Sequence, residues 1–102
     1  MIRLYWVVDA TENVQEFDLQ DPVVIGRRGE NDVCIPDGRV SRSHGALFWR
    51  DDALWLVNLS QRNRIIVYQN EQAYSLPPEA EITLDVGAQF DISHVRFWVE
   101  PA

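Results

Sequence analysis

The chain is 102 residues long, is 46% hydrophobic, and carries a formal net charge of −7 at neutral pH. This length fits one domain, expected over residues 1–102, and leaves no room for a second lobe that would enclose an active-site cleft. The acidic balance argues against general binding to nucleic acid or to an anionic membrane, because both need a positive protein surface.

The first part of the chain alternates apolar and polar residues with a period of two, which predicts β-strands. One face of a first strand contains Ile2, Leu4, Trp6 and Val8, and one face of a second contains Gln15, Phe17 and Leu19. Two short buried strands are predicted over residues 23–25 and 33–35. Gly26 ends the first of them, and the turn sequence Pro36-Asp37-Gly38 ends the second.

A hairpin is predicted over residues 46–57, with its turn at Asp51-Asp52, and both of its faces are apolar. Such a hairpin is either central in a sandwich or covered on its outer side by another element, and we favour the central position. Further strands are predicted over residues 65–68, 82–84, 90–92 and 95–99. No long window has the period of a helix. The predicted fold is therefore all-β, a sandwich of two antiparallel sheets with about ten or eleven short strands.

The one cysteine, Cys34, cannot form an internal disulfide, and no apolar run approaches the roughly 18 residues of a membrane helix. No signal-peptide pattern is present at the start of the chain. We therefore expect a reducing, cytoplasmic setting. The sequence fits either a complete protein or one domain of a longer one.

All nine basic residues are arginine, and seven of them lie between positions 27 and 64. These seven are Arg27, Arg28, Arg39, Arg42, Arg50, Arg62 and Arg64. All except Arg50 fall on predicted loops. This clustering predicts a local anion-binding site on an otherwise acidic body.

The same loops carry hydroxyl, imidazole and amide groups. The segments are Gly26-Arg27, Asn31-Asp32, Ser41-Arg42-Ser43-His44, and Asn58-Leu59-Ser60 leading into Asn63. A guanidinium, a hydroxyl and a side-chain amide are the groups that a phosphate dianion and an adjoining extended backbone need from a protein surface. The constellation resembles the forkhead-associated (FHA) domain, an FHA/SMAD-like β-sandwich that binds phosphothreonine peptides, and the resemblance covers nearly all of the chain.

The resemblance implies a role for each matching residue. Arg27 would contact the phosphate, and Gly26 would let the backbone turn tightly before it. Ser41 would form a hydrogen bond to a phosphate oxygen, and Arg42 would add a second contact. His44 would brace the loop without touching the ligand.

Asn63 would hold the ligand main chain on either side of the phosphothreonine, since an amide both donates and accepts hydrogen bonds. The chain departs from the family here, because Asn63-Arg64-Ile65 replaces the usual Asn-Gly-Thr and Arg62 replaces a small hydroxyl residue. Without glycine the turn loses tolerance for positive φ, which predicts an altered loop path that could direct Asn63 elsewhere. Arg62 and Arg64 would strengthen phosphate binding, read acidic residues beside the phosphate, or remain solvated charges.

Two further groups of residues are expected to serve the structure. Asn31-Asp32 should satisfy loop backbone groups with its side chains. Four tryptophans lie in strand patterns rather than on the basic loops, so we expect them to pack in the core or on sheet faces. They are Trp6, Trp49, Trp55 and Trp98.

The function implied by the resemblance is a phosphothreonine-binding adaptor, whose partner is a phosphorylated protein in a Ser/Thr kinase pathway. The alternative is a domain of the same fold that assembles proteins without phosphate. An enzyme is not expected, since no motif places an acid to orient His44 against Ser41 and no other catalytic pair is present. No cofactor or metal is expected, because two histidines and one cysteine are too few for a zinc site.

Overall fold

The computed structural model describes residues 1–102 and contains eleven β-strands and no helix, so no helix is available to span a membrane. The strands are β1 (Ile2–Val8), β2 (Thr11–Phe17), β3 (Val23–Gly26), β4 (Val33–Cys34), β5 (Gly45–Arg50), β6 (Ala53–Asn58), β7 (Ile65–Gln69), β8 (Gln72–Leu76), β9 (Glu81–Thr83), β10 (Gln89–Ile92) and β11 (Val95–Pro101). The predicted all-β class and the predicted number of strands are confirmed.

The strands form two sheets that pack face to face. The six-stranded sheet has the order β2-β1-β11-β10-β7-β8, and the five-stranded sheet has the order β4-β3-β5-β6-β9. All pairs are antiparallel except β3 and β4, which run parallel. The expectation of purely antiparallel sheets is wrong for this pair, because residues 27–32 loop back and set Val33 beside Ile25. A strand of two residues carries no pattern from which its direction could be inferred.

The core lies between the sheets and contains a cluster of 20 buried hydrophobic residues. On β1, Ile2 and Leu4 are buried and Trp6 and Val8 pack against the cluster, as the alternation predicted. The β5–β6 hairpin is flanked by β3 and β9, so its predicted central position is also confirmed. On its outward face, Phe48, Trp55 and Val57 are only partly buried, because no element of the chain covers that face.

Two details of the strand prediction are wrong. The second strand ends at Phe17, and Leu19 lies beyond it with a φ of 59°, so its side chain follows a bend and not the strand alternation. The sequence pattern does not predict strand β8. Only Leu76 in that strand is buried, because β8 is the edge strand of its sheet and exposes most of its residues to solvent.

Three hairpins close with two-residue turns in which both central residues have positive φ. These turns are Asp9-Ala10, Asp51-Asp52 and Asn70-Glu71. This backbone matches the twist of the flanking strands but is unfavourable for residues with a side chain, and Asn-Gly is its preferred sequence.

The strands direct the loops to two opposite ends of the sandwich, whose longest extent is 33 Å. One end, which we call the loop end, holds residues 27–32, 35–44, 59–64 and 93–94. The other end holds both chain termini, the Asp51-Asp52 turn and residues 84–88. Most of the arginines that follow β3 lie at the loop end.

Replacing Glu71 by glycine should stabilise the protein. Glu71 is exposed and has a φ of 61°, so Glu71→Gly relieves the cost of a side chain in a left-handed turn and creates the favoured Asn-Gly pair. We expect the free energy of unfolding to rise by about 1 kcal/mol in denaturant titrations. Glu12→Gly, in β2, is the control and should lower it by about 0.5–1 kcal/mol. A loss of stability in Glu71→Gly would contradict the turn assignment.

Candidate functional site

Backbone hydrogen bonds hold the separate loops of the loop end side by side. The Arg27 N–H donates to the Ser41 carbonyl at 3.0 Å, and the Arg28 N–H donates to the Arg42 carbonyl at 3.3 Å. The Leu59 N–H donates to the His44 carbonyl at 2.8 Å. Residues far apart along the chain therefore meet at one end of the sandwich.

Arg27 follows directly on β3 and has an anchored guanidinium. Its Nε donates to the Val40 carbonyl at 3.1 Å, which fixes the orientation of the planar group. The side chain is exposed, and its two terminal amino groups have no protein partner. A rigid fork with two free amino groups is the arrangement that binds phosphate oxygens in pairs.

Gly26 is required because the next loop comes close, and its φ is not positive. A Cβ at this position would collide with the Arg42 carbonyl and lie 2.7 Å from Asn31 Nδ2. Asn31 Nδ2 donates to that same carbonyl at 2.6 Å. Asp32 accepts the Val24 N–H at 2.9 Å, so the expected structural role of the Asn31-Asp32 pair is confirmed.

The hydroxyls of Ser41 and Ser60 lie 2.7 Å apart. Ser60 Oγ also accepts the N–H groups of Arg62, at 3.2 Å, and Asn63, at 3.0 Å. Both lone pairs of Ser60 are thereby occupied, so its own proton must donate to Ser41 Oγ. Ser41 is left with a hydroxyl proton that has no acceptor in the protein.

Asn58 holds the loop that contains Arg62 and Asn63. Its side chain is fully buried, Nδ2 donates to the carbonyls of Asn63 at 2.8 Å and Leu76 at 2.9 Å, and Oδ1 accepts the Ser60 N–H at 2.9 Å. A buried amide with its donors and its acceptor in use is a rigid anchor. Sequence reasoning gave no role to Asn58 or Ser60, although the Asn-x-Ser spacing is typical of a side chain that caps its own turn.

The Asn63-Arg64-Ile65 departure is accommodated without strain. No residue between 59 and 64 has a positive φ, so this loop path needs no glycine. The Asn63 main chain is held by Asn58 and Ser60, while its side chain is exposed and forms no hydrogen bond within the protein. The amide of Asn63 thus remains available at the surface.

His44 is buried behind the Ser41 loop. Its Nδ1 accepts the Ser41 N–H at 3.0 Å, so in the neutral ring the proton is on Nε2, which is buried and has no partner. Burial lowers the pKa of His44 below its ordinary value of 6.5. The neutral ring therefore supports the loop backbone through an acceptor, and a protonated ring would lose that bond.

A polar cavity of about 240 Å³ opens beside Asn63 and contains no hydrophobic lining residue. It is lined by Arg39, His44, Asn63, Arg64 and Ser93. His44, Asn63 and Arg64 are predicted site residues, whereas Arg39 and Ser93 have no individual role in the sequence prediction. Arg39 belonged to the arginine cluster, but Ser93 had no signal, since only the packing of the β10–β11 hairpin against the other sheet brings it here.

The arginines of the loop end differ in how far their charge is compensated. Arg39 forms a two-pronged pair with Asp37, at 2.9 and 3.1 Å, which holds the pKa of that carboxyl well below its usual range. Arg64 donates to the main chain and the hydroxyl of Ser75 at 3.3 Å. Arg42 and Arg62 are exposed and have no ion pair or side-chain hydrogen bond.

The loop end therefore joins every residue predicted for the site. Arg27, Arg42 and Ser41 form one group, Arg62, Asn63 and Arg64 form a second, and the Ser41–Ser60 bond connects the two groups. Arg27 and Ser41 do not line the polar cavity itself. No group of three or more His, Cys, Asp or Glu side chains is arranged to hold a metal ion.

A model of the family described as "FHA domain" matches residues 23–93. Comparison with curated proteins finds no match. Three solved structures illustrate the similarity of fold. The FHA domain of the CT664 protein from Chlamydia trachomatis has a TM-score of 0.79 at 17% identity, covering 99% of this chain and 97% of that one.

The FhaA FHA domain, solved as a complex with the intracellular domain of Rv3910, has a TM-score of 0.76 at 22% identity and covers 98% of this chain and 100% of that one. Mycobacterium tuberculosis EmbR, solved in complex with a low-affinity phosphopeptide, has a TM-score of 0.74 at 18% identity and covers 99% of this chain and 24% of that one. At these identities, the structural matches establish the sandwich fold of the chain.

The buried His44 should make stability depend on pH. Its folded pKa lies below the unfolded value of 6.5, so the unfolded chain takes up a proton first as the pH falls. The free energy of unfolding should therefore be constant above about pH 7 and should decrease as the pH is lowered through about 6.5. Denaturant titrations between about pH 8 and pH 5 would measure this, together with an NMR titration of the ring.

The exposed His94 provides the matched control. His94→Gln should keep the pH dependence, and His44→Gln should lose it. An NMR titration of His44 with a midpoint at or above 6.5 would contradict the assignment.

Proposed function

The chain belongs to the FHA domain family, and we propose that it is a non-catalytic interaction module that binds phosphorylated protein segments through its loop end. Two relatives in fold support this assignment. EmbR was solved with a phosphopeptide, and the FhaA FHA domain with the intracellular domain of another protein. The further proposal is that the phosphorylated residue is threonine and that the partner lies in a Ser/Thr kinase pathway.

The observation that carries the proposal is the set of unused donors at the loop end. Arg27 has two free amino groups, Ser41 has a free hydroxyl proton, and Arg42 has a free guanidinium. A phosphate monoester carries about −1.5 to −2 charges at neutral pH and three acceptor oxygens. These donors match that ligand in both charge and number.

Two of the donors are already held by bonds that binding would leave in place. The Arg27 fork would take two phosphate oxygens while its Nε stays on the Val40 carbonyl. The Ser41 proton would donate to the third oxygen, since Ser60 already supplies the bond that Ser41 Oγ accepts. Each charge-assisted bond contributes about 1.5–3 kcal/mol, against about 1 kcal/mol for a neutral one, so the unphosphorylated segment would lose most of the affinity.

Asn63 would hold the extended main chain next to the phosphorylated residue. Its side-chain amide is exposed and unpaired, and its own main chain is fixed by Asn58 and Ser60. An amide in this state can pair with one N–H and one carbonyl of an extended peptide. Arg62 would add a further cation beside the phosphate, and Arg64 would stand on the far side of Asn63, in the polar cavity.

The departure at Arg62 and Arg64 favours one alternative, a module of this fold that assembles proteins without phosphate. In that case the arginines would pair with acidic side chains of the partner, and phosphorylation would not change affinity. One measurement distinguishes the two functions. It is the ratio of the affinities for a phosphorylated peptide and for its unphosphorylated copy.

Arg27→Ala should abolish most of the phosphate-dependent affinity. Calorimetric titration of a phosphothreonine peptide library should give a loss of about tenfold or more, the equivalent of one charge-assisted bond. Arg3→Ala removes a half-buried arginine on β1, which pairs with Glu16 at 3.1 Å away from the loop end, and is the charge-matched control, with no expected change. Phosphoserine copies of each peptide test the preference for threonine. Equal binding of phosphorylated and plain peptides would rule the proposed function out.

Ser60→Ala should weaken phosphopeptide binding although Ser60 does not touch the ligand. The substitution removes the proton that directs the Ser41 hydroxyl and the acceptor of two loop N–H groups. We expect a loss of about fivefold in affinity, the equivalent of one neutral hydrogen bond. Ser43→Ala, in the same loop region, removes a hydroxyl without a hydrogen bond and is the control. Unchanged affinity in Ser60→Ala would show that Ser41 is positioned without it.

A further inference from the structure

A second concave surface lies at the end of the sandwich opposite the loop end. The two sheets separate there and leave a groove of about 720 Å³. We call it the terminal groove. Its floor is formed by the edge of the core, at Ile2, Leu54, Leu84 and Val99, which are all buried. The groove is therefore continuous with the hydrophobic interior.

The rim of the terminal groove exposes large apolar side chains. Val86 is 82% exposed, Met1 is 66% exposed and Trp49 is 54% exposed, and these are three of the five large hydrophobic residues that the whole chain exposes. Trp49 is the one tryptophan that does not fit the expectation of packing on a sheet face or in the core. Exposed apolar groups gathered around a depression are typical of surfaces that bind a partner.

Four carboxylates surround this apolar surface. They are Asp18, Asp52, Asp85 and Glu100, and none of them forms an ion pair. No arginine lines the groove. The nearby Arg50 is already engaged, because it pairs with Glu81 at 2.9 Å and its guanidinium lies 4.2 Å from the centre of the Trp55 ring on the outer sheet face. The floor of the groove is thus apolar, and the carboxylates give its rim a negative charge.

We propose that the terminal groove is a second docking site, which binds a segment of a protein partner with apolar side chains flanked by arginine or lysine. The apolar side chains would enter the groove between Trp49 and Val86, and the flanking cations would meet the carboxylates of the rim. Charge complementarity selects this occupant. An anionic lipid surface or a nucleic acid would be repelled by the same four carboxylates.

A second copy of the chain fits the groove less well. The cations of the chain lie mainly at its loop end, where Leu59 is the one large exposed hydrophobic residue, and a single leucine does not fill about 720 Å³. The groove and the polar cavity of the loop end lie at opposite ends of the strands and share no lining residue, so a phosphorylated segment and a cationic segment would not overlap. The domain would then connect two partners.

The probe is a set of acetylated and amidated pentapeptides with arginine at both ends and Leu, Phe, Trp or Val between. The controls replace both arginines by glutamate, or the apolar residues by Ser and Gly. NMR of the isotope-labelled chain should show at least one arginine-ended peptide bound about tenfold more tightly than both of its controls. Shifts should centre on Leu84, Val86 and the Trp49 indole. If no member of the set meets this criterion, the proposal fails.

Two kinds of variant separate the apolar and the charged contributions. Trp49→Ala should lower affinity about tenfold, and Val14→Ala, at an equally exposed position outside the groove, should not change it. The pair Asp52→Asn with Glu100→Gln should lower affinity about two- to tenfold at low salt. Asn tolerates the positive φ of 59° at Asp52.

The pair Asp9→Asn with Glu12→Gln is the charge-matched control, since it neutralises one turn aspartate and one strand glutamate outside the groove. Arg27→Ala should bind the probe normally. Equal losses in the two charge pairs would overturn the proposal, because the attraction would then come from the net charge alone. Concentration-dependent dimerisation in sedimentation that Trp49→Ala abolishes would also overturn it, because the occupant would be a second copy.

Discussion

The loop end depends on one buried amide, that of Asn58. Its side chain makes three hydrogen bonds, and its main chain makes two more, donating to the Ala80 carbonyl and accepting the Glu79 N–H. The residue is fully buried, so water cannot reach its polar groups and the protein itself must supply these hydrogen bonds. Because a buried group left unpaired costs about 1–3 kcal/mol, the loop over residues 59–64 has one low-energy arrangement. The positions of Arg62 and Asn63 at the loop end therefore depend on the hydrogen bonds of Asn58.

Side-chain anchors take the place of glycine in this loop. The family pattern uses glycine after the asparagine, whereas this chain has Arg64 there and a backbone with no positive φ. Ser60 binds the N–H groups of two consecutive residues, and Asn58 binds the carbonyl of the second. The same serine directs the hydroxyl of Ser41. Ser60 Oγ thus couples the backbone of the loop over residues 59–64 to the orientation of the Ser41 hydroxyl in the neighbouring loop. The altered sequence thus keeps the Asn63 side chain at the surface by different means.

The sequence predicts most of the fold because each buried strand leaves its own alternation. Prediction from sequence fails where a strand is defined by its pairing with a neighbouring strand and not by its own alternation of apolar and polar residues. Strand β8 exposes most of its residues, and the parallel direction of β4 follows from how residues 27–32 return. For the loop end, residue types alone select Arg27 and Ser41 as candidate phosphate ligands, and these roles stay predictions. The bond between Ser60 and Ser41, and the position of Arg39 and Ser93 beside Asn63, arise from the packing of separate loops, which no local pattern contains.

The distribution of charge explains how a chain of net charge −7 can keep uncompensated arginines together at its loop end. At physiological ionic strength, charges act over about 8 Å, so the sign of the potential at a site is set by its immediate neighbours. The four carboxylates of the terminal groove lie at the opposite end of the strands and therefore do not cancel the field of Arg27, Arg42 and Arg62. Within the loop end, Asp37 compensates Arg39 through a close pair and leaves those three arginines free. The net charge therefore does not set the electrostatic potential at the loop end, which is determined by the arginines located there.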